Sequence, residues 1–413
     1  MSEIESGTSD LPLFKALAYN ICNLPKAASW TALLSGFLVV FVSTTGPIAI
    51  LYQAAAAAKM SIELTNSWLF AVFLGSGLFG LLLTLRFGIP IIGSWASTTT
   101  ALLVTGLVDH SFSDVIGAYF GASILLVIVG YTGIFNKLMQ WIPHPIIMAM
   151  LAGVVLVFGT RIFTSTRINP LLGLVMLLVF FLSRTLKWRT PLLASFAVGL
   201  ITVIAQSKIH LPSLSFEVIR PVWTNPTFSL SAFFTLTIPI FLMVMTTQNA
   251  PGIALLKAVH YRAPVNHIVH FGGTLSLLGA GFGGAGVNVS AMTATIAISP
   301  ESDPNSKTRY FAGVASGVAY TLAALFAGIF STLYGTFPLE LTAILAGLAL
   351  LPVITGSLVD ALEKKDFRDS AVVTFLVTIS GVSDWGVGAP FWGLIAGLVV
   401  HRLSEIHASR RSY

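Results

Sequence analysis

The sequence is poor in charge and almost without cysteine. Lys, Arg, Asp and Glu together make up only 9% of 413 residues, while hydrophobic residues make up 55%, at a mean hydropathy of +0.88. A soluble globule of that size needs more charge to cover its surface, so the chain belongs in a lipid bilayer. Cys22 is the only cysteine, which excludes an intrachain disulfide and a thiolate metal cluster. The eight histidines include no H-E-x-x-H, and no nucleophile, acid–base pair or metal cluster stands out in the apolar runs. We therefore expect no enzyme, no cofactor and no metal. The net charge of +6 comes without a basic helix or an interleaved aromatic patch, so a nucleic-acid partner is not expected. Residues 1–28 carry Glu3, Glu5, Asp10, Lys15 and Lys26 and lack the apolar core and small-residue cleavage site of a signal peptide. No cleavage is expected there, and LPLFKALAYNI reads as a short amphipathic segment on the membrane face.

What is present is a succession of apolar runs. A hydrocarbon core of roughly 30 Å needs about 20 apolar residues per helix. Runs bounded by Pro, Gly or charge fall near residues 29–57, 64–86, 89–107, 113–137, 144–163, 169–187 and 190–207. A second set falls near 229–257, 264–282, 285–299, 308–334, 338–358, 368–384 and 386–404. The fold class expected is an all-α polytopic membrane protein with 14 transmembrane segments. With a cytoplasmic N-terminus, the inner loops collect seventeen of the 22 Lys and Arg, leaving Lys59, Arg161, Arg167, Lys208 and Arg220 outside. That asymmetry agrees with the positive-inside rule and places both termini in the cytoplasm. The polar, Pro-rich stretch 208–228 lies at the midpoint and divides repeats at 29–207 and 229–404, with a tail at 405–413. Seven is odd, so the second repeat starts from the opposite face, as a 7+7 inverted repeat.

The third run of each half is defective. FGIPIIGSWASTTTALLVTG at 87–106 has Pro90 and Gly93 ahead of a Ser/Thr-rich stretch, and GFGGAGVNVSAMTATIAIS at 281–299 opens on four glycines. Interior Gly costs a helix about 1 kcal/mol and Pro about 3 kcal/mol. The third and tenth spans are therefore read as a short extended segment followed by a half-helix. Irregular backbone at membrane depth survives only where protein or a watery cavity satisfies it, and two such breaks at matching places point to a substrate site. Gly281, Gly283 and Gly286 spell G-x-G-x-x-G, but the context is a membrane half-helix and not a dinucleotide fold. The same pattern at Gly75, Gly77 and Gly80 lies in mid-span and is read as close helix packing. Two half-helix starts offer unpaired N–H groups and partial positive charge to an anion such as a carboxylate, with Trp95 and Phe282 positioned to flank a ring.

TTQNAPGIALLKA at 246–258, FGGAGVNVSAMTATIAISPESDP at 282–304 and LAGLALLPVITGSL at 345–358 together resemble the BenE benzoate/proton symporter family. The resemblance covers nearly all the chain beyond residue 28, and extends distantly to uracil permease and the sulfate permease group. It implies a core domain (29–137 and 229–334), a gate domain (144–207 and 338–404) and elevator-type transport, with a homodimer through the gates. It also implies an inner-membrane importer of benzoate or a similar small aromatic carboxylate, driven by protons. Carried onto this sequence, the substrate-binding positions are Gly93, Ser94, Trp95, Ala96 and Ser97 at the first half-helix. Gly284, Gly286, Val287, Asn288 and Val289 stand at the second, Gln248 and Asn249 on the eighth span, with Tyr52 and Gln53 on the first. Nucleobase permeases carry glutamates where this chain has Gln248 and Val287. That absence suits an anionic ligand and removes the obvious proton carrier, leaving a peripheral acid, His144 or the substrate itself. Open alternatives are another anion or a nucleobase on the same fold, or an uncoupled facilitator.

Overall fold

The structure, a computed structural model, describes residues 11–141, 143–188, 190–207, 218–290, 293–385 and 387–411. It is mostly helical. Before the midpoint come α1 (Leu13–Ala27), α2 (Trp30–Ala57), α3 (Ile62–Phe87), strand β1 (Gly93–Trp95), α4 (Ser97–Asp109), α5 (Phe112–Thr132), α6 (Phe135–Trp141), α7 (His144–Ile168), α8 (Pro170–Thr185) and α9 (Pro191–Ala205). After it come α10 (Leu230–Ala258), α11 (Val265–Gly279), β2 (Val287–Val289), α12 (Ala294–Ile298), α13 (Tyr310–Leu325), α14 (Ala327–Thr336), α15 (Leu339–Glu363), α16 (Arg368–Ser380) and α17 (Ala389–Arg411). Among the described residues, six helices are long and apolar enough to cross a bilayer, and α13 with α14 makes a seventh candidate bent by 67°.

The helices start and stop where local chemistry dictates. Ser29 and Ser61 cap α2 and α3 by accepting from the N–H groups of Ala32 and Leu64. Ser111 and Asp114 form a reciprocal capping box at the start of α5. Gly88 and Gly133 end α3 and α5 in the left-handed conformation. That stop separates α5 from α6, where the apolar run at 113–137 had suggested one continuous helix.

The single run at 308–334 is likewise divided, at Phe326. The bend is held by its contacts. The Leu325 carbonyl accepts from Ile219 N–H at 3.3 Å, and α14 is turned so that the Tyr334 hydroxyl reaches the Thr45 carbonyl of α2 at 2.6 Å. The last helix runs on through Arg411, past the expected boundary at 404.

Residues 1–10 and 208–217, within the expected N-terminal segment and linker, lie outside the described residues. The remainder of the linker is an extended strap. Thr224 N–H donates to Gly281 O at 2.7 Å and Thr227 N–H to Ser113 O at 3.0 Å, while Trp223 packs edge-on against Phe282, with ring centroids 5.2 Å apart.

α3 packs on α13, α5 on α11, and α7 on α15. Gly77 and Gly80 of α3 are contact points: a methyl group on Gly77 would lie 2.9 Å from the Gly317 carbonyl, and one on Gly80 would lie 2.8 Å from Gly93 N. Small residues here let backbones touch, which is how helices associate in lipid.

Candidate substrate site

β1 and β2 pair antiparallel at the centre of the molecule, with Gly93 opposite Val289, Ser94 opposite Asn288 and Trp95 opposite Val287. The ladder is extended by Ala96 N–H to Gly286 O at 3.1 Å and Ser290 N–H to Ile92 O at 2.8 Å. Side chains satisfy what the ladder leaves over. Thr84 Oγ1 both donates to Ile91 O and accepts from Ile91 N–H, at 3.0 and 3.1 Å. Val287 N–H donates to Ser276 Oγ at 2.9 Å and Val289 N–H to Asn249 Oδ1 at 3.3 Å. Non-helical backbone buried among apolar helices needs such partners, because an unpaired amide there costs about 1–3 kcal/mol.

The glycine-rich approach to β2 serves backbone geometry. Gly283 and Gly286 have φ of 90° and 68°, a region that side chains disfavour. A methyl group on Gly281 would strike the Trp223 ring at 2.2 Å.

A cavity of about 100 Å³ lies beside the paired strands. Its walls come from α2 (Val42, Ser43, Pro47, Ile50), β1 and the start of α4 (Ser94, Trp95, Ser97, Thr98), α10 (Gln248), the β2–α12 junction (Ser290, Thr293), α9 (Leu192) and α15 (Ala349, Leu350, Val353). No ionisable side chain is among them. Ala96 stands at the N-cap of α4 and offers no side-chain cap. The first internal bonds of that helix are made by Thr99 and Thr100 N–H to Ala96 O, so Ser97 and Thr98 precede them with their N–H groups directed at the helix start. The macrodipole adds roughly half a positive charge there. Ser43, Ser94, Ser97, Thr98, Ser290 and Thr293 supply hydroxyls around this point, and Trp95, Ile50, Pro47, Leu192, Leu350 and Val353 supply apolar surface. The arrangement can hold a small anion by neutral donors while a flat apolar body lies against Trp95.

Of the expected site residues, Ser94, Trp95, Ser97 and Gln248 line this cavity. Gln248 enters it from a wide π turn, Val244–Asn249, just before Pro251. Such turns shift the phase of a helix, and here Asn249 reaches Val289 while its neighbour Gln248 faces the cavity. Gly93, Ala96, Gly284, Gly286, Val287, Asn288 and Val289 build the frame behind it. A methyl group on Gly93 would lie 1.9 Å from Ser76 O, and one on Gly284 would lie 2.7 Å from Ala71 Cβ. Asn288 is fully buried and donates to Gly286 O, with Oδ1 left unpartnered. Tyr52 stacks on Tyr334 at 4.9 Å and bonds Ser331. Gln53 bonds Arg161 and Thr342. Neither Tyr52 nor Gln53 lines the cavity. Phe282 packs on Trp223, away from it.

Ser43, Thr98, Ser290, Thr293 and the apolar wall from α9 and α15 were not anticipated. The Ser/Thr-rich stretch after Trp95 was the available signal for Thr98. A larger cavity, about 590 Å³, opens among the C-terminal end of α4, α7 and the α16–α17 connection, and Asp109 lines it. It contains no expected site residue, and the helix start that borders it is that of α17, at Ala389 and Pro390. Among the described residues no group of His, Cys, Asp and Glu is arranged to hold a metal.

A family model described as benzoate membrane transport protein, BenE, matches residues 26–403. The inner membrane protein YdcO of Escherichia coli is 39% identical over 381 residues, covering 92% of this chain and 97% of YdcO. The benzoate membrane transport protein of Acinetobacter baylyi is 35% identical over 373 residues, covering 90% of this chain and 95% of that protein. Among solved structures, SLC26A9 superposes with a TM-score of 0.61 at 13% identity, over 96% of this chain and 69% of that one. The likeness to SLC26A9 is one of fold.

Proposed function

The chain belongs to the BenE family of benzoate membrane transport proteins, which are transporters and not enzymes, and on that premise we propose that it imports benzoate or a similar small aromatic carboxylate across the inner membrane. The observation that carries this reading is the uncharged cavity at the start of α4, where free backbone N–H groups and hydroxyls face an aromatic wall. Ser94, Trp95, Ser97 and Gln248 contact the substrate in this reading. Gly93, Ala96, Asn249, Gly284, Gly286, Val287, Asn288 and Val289 hold the backbone that presents them. At about 100 Å³ the cavity is smaller than the ~150 Å³ apolar cavity that accommodates benzene, so binding requires its walls to separate somewhat.

The walls belong to two bodies in this reading. Residues 29–137 and 229–334 form a core carrying the strand pair, and 144–207 and 338–404 form a gate carrying Leu192 and Leu350. Movement of core against gate as an elevator opens the cavity to either side. The chain crosses the membrane fourteen times as a 7+7 inverted repeat, counting each strand–helix segment as a crossing, with both termini cytoplasmic and a homodimer through the gates. The exchange of partners in which α3 packs on α13 and α5 on α11 supports such a repeat. Import is driven by proton symport, with the proton carried by a group outside the cavity or by the substrate.

A second reading, an uncoupled facilitator, is favoured by the lack of any ionisable group lining the cavity. Uptake of labelled benzoate into proteoliposomes with and without an inward proton gradient separates them. Accumulation above the empty-liposome control is expected with the gradient. Equilibration without accumulation indicates a facilitator, and no protein-dependent flux overturns benzoate as substrate. Competition by unlabelled anions and nucleobases tests the remaining choice of substrate.

A further inference from the structure

Arg161 stands inside α7, about two turns before its end at Ile168. A guanidinium near the end of a membrane helix costs less than the roughly 2.5–3.5 kcal/mol of one at the centre, and such residues face a polar partner or a route for ions. Its partner here is neutral: Nη1 donates to Gln53 Oε1 of α2 at 3.0 Å. Gln53 Nε2 in turn donates to the Thr342 carbonyl of α15 at 3.1 Å. The orientation of this amide is self-consistent, since turning it over would set donor against donor and acceptor against acceptor. No carboxylate pairs with Arg161 among the described residues, so its charge is held in place but not neutralised.

The clasp lies outside the cavity but joins helices that wall it. Gln53 follows the lining residue Ile50 by one turn of α2, and Thr342 precedes the lining residue Ala349 by about two turns of α15. It therefore closes the seam between α2 and the α7–α15 pair, at the end of α2 remote from the N-terminus. In the orientation proposed above, that is the outer end.

We propose that Arg161 is the outer anion receptor of the transport route and that Gln53 occupies it when no substrate is present. A carboxylate bonds a guanidinium more strongly than an amide oxygen does, and can do so through two parallel bonds. An arriving substrate displaces Gln53 from Arg161, unfastens α2 from α7 and passes inward to the start of α4. Recognition of the anion and opening of the seam are then one event, with the differential affinity that such a coupling requires.

The proposal rests on the transport reading, and its test separates the two. Benzoate uptake is measured from the outer side for the wild type, Arg161→Gln, Arg161→Lys and Gln53→Glu, with KM and Vmax resolved and ionic strength varied. Arg161→Gln is expected to raise KM about tenfold, the loss of one charge-assisted hydrogen bond. Gln53→Glu, which neutralises the guanidinium in place, is expected to raise KM and lower Vmax, with partial relief by salt. Arg161→Lys keeps the charge and is expected to fall between the wild type and Arg161→Gln. A purely structural clasp would change Vmax and melting temperature and leave KM unchanged in every variant. That result overturns the proposal while the wild type still transports. A wild type that moves no benzoate overturns the transport reading and this proposal with it. If Arg161→Gln is not recovered as monodisperse protein, Gln53→Glu and Arg161→Lys decide on the same KM readout.

Discussion

The two strand–helix segments look alike in sequence and differ in the length of their helices and in what ties them. α4 is 13 residues long and starts at Ala96 without a side-chain cap. α12 is five residues long, and Thr293 N–H just before it donates to Ser290 Oγ at 3.1 Å. Its other end is also tied, because the buried Arg309 donates to the Ile298 carbonyl at 3.0 Å and to Asp303 O at 2.6 Å, a cation where the dipole favours one. Neither helix has a side-chain cap, but α4 is more than twice as long and its start borders the cavity through Ser97 and Thr98, while α12 is a single short turn tied at both sides. The lesson is that two matched breaks need not make two equal anion sites. In the function proposed here the first supplies the electrostatics, and the second supplies hydroxyls and a fixed wall.

Substitutions can break this contrast. The largest effect is expected for Gly93→Ala, because the new methyl group would lie 1.9 Å from Ser76 O in backbone that cannot yield. Folded protein should be lost in size-exclusion chromatography, while Val289→Ala on the opposing strand should still yield monodisperse material. Ser97→Asp places a carboxylate in the first turn of α4, where it suits the dipole but repels a substrate anion. Benzoate affinity measured by calorimetry should fall about a hundredfold, the scale of a like-charge juxtaposition, with the melting temperature held or raised. Asn249→Ala leaves the N–H of Val289 buried and unpaired, and thermal unfolding should show a loss of about 1–3 kcal/mol. The smallest effect is expected for Ser290→Ala, which removes the buried hydrogen bond to Thr293 N–H ahead of α12 at about 1 kcal/mol and should lower the melting temperature more clearly than it lowers affinity.

Pro90, Gly93 and the glycines at 281–286 are locally incompatible with an unbroken helix, and the structure has a short strand ahead of a helix at each place. Those residues act through their own backbone, so no knowledge of neighbours is needed. The bend at Phe326 was not readable, since its causes lie in contacts with Ile219 and Thr45 that are distant in the chain. α12 stops at Ser299, whose extended backbone precedes Pro300, a boundary the proline imposes locally. Ser94, Trp95, Ser97 and Gln248, which line the cavity, were carried over from the family's motif. Thr98 was marked only by the Ser/Thr-rich stretch it belongs to, and Ser290 and Thr293 by nothing, because an isolated hydroxyl bonds equally well to nearby backbone. The wall formed by Leu192 and Leu350 comes from ordinary apolar helices with no local mark of function.

The central claim is that the substrate carboxylate sits at the start of α4. A structure determined with 4-bromobenzoate, whose bromine can be located independently of the ring, tests it most directly. The account predicts the carboxylate about 3 Å from the N–H groups of Ser97 and Thr98, with the ring against Trp95. A carboxylate held at Ser290 and Thr293 instead, or a ligand in the cavity lined by Asp109, would contradict it.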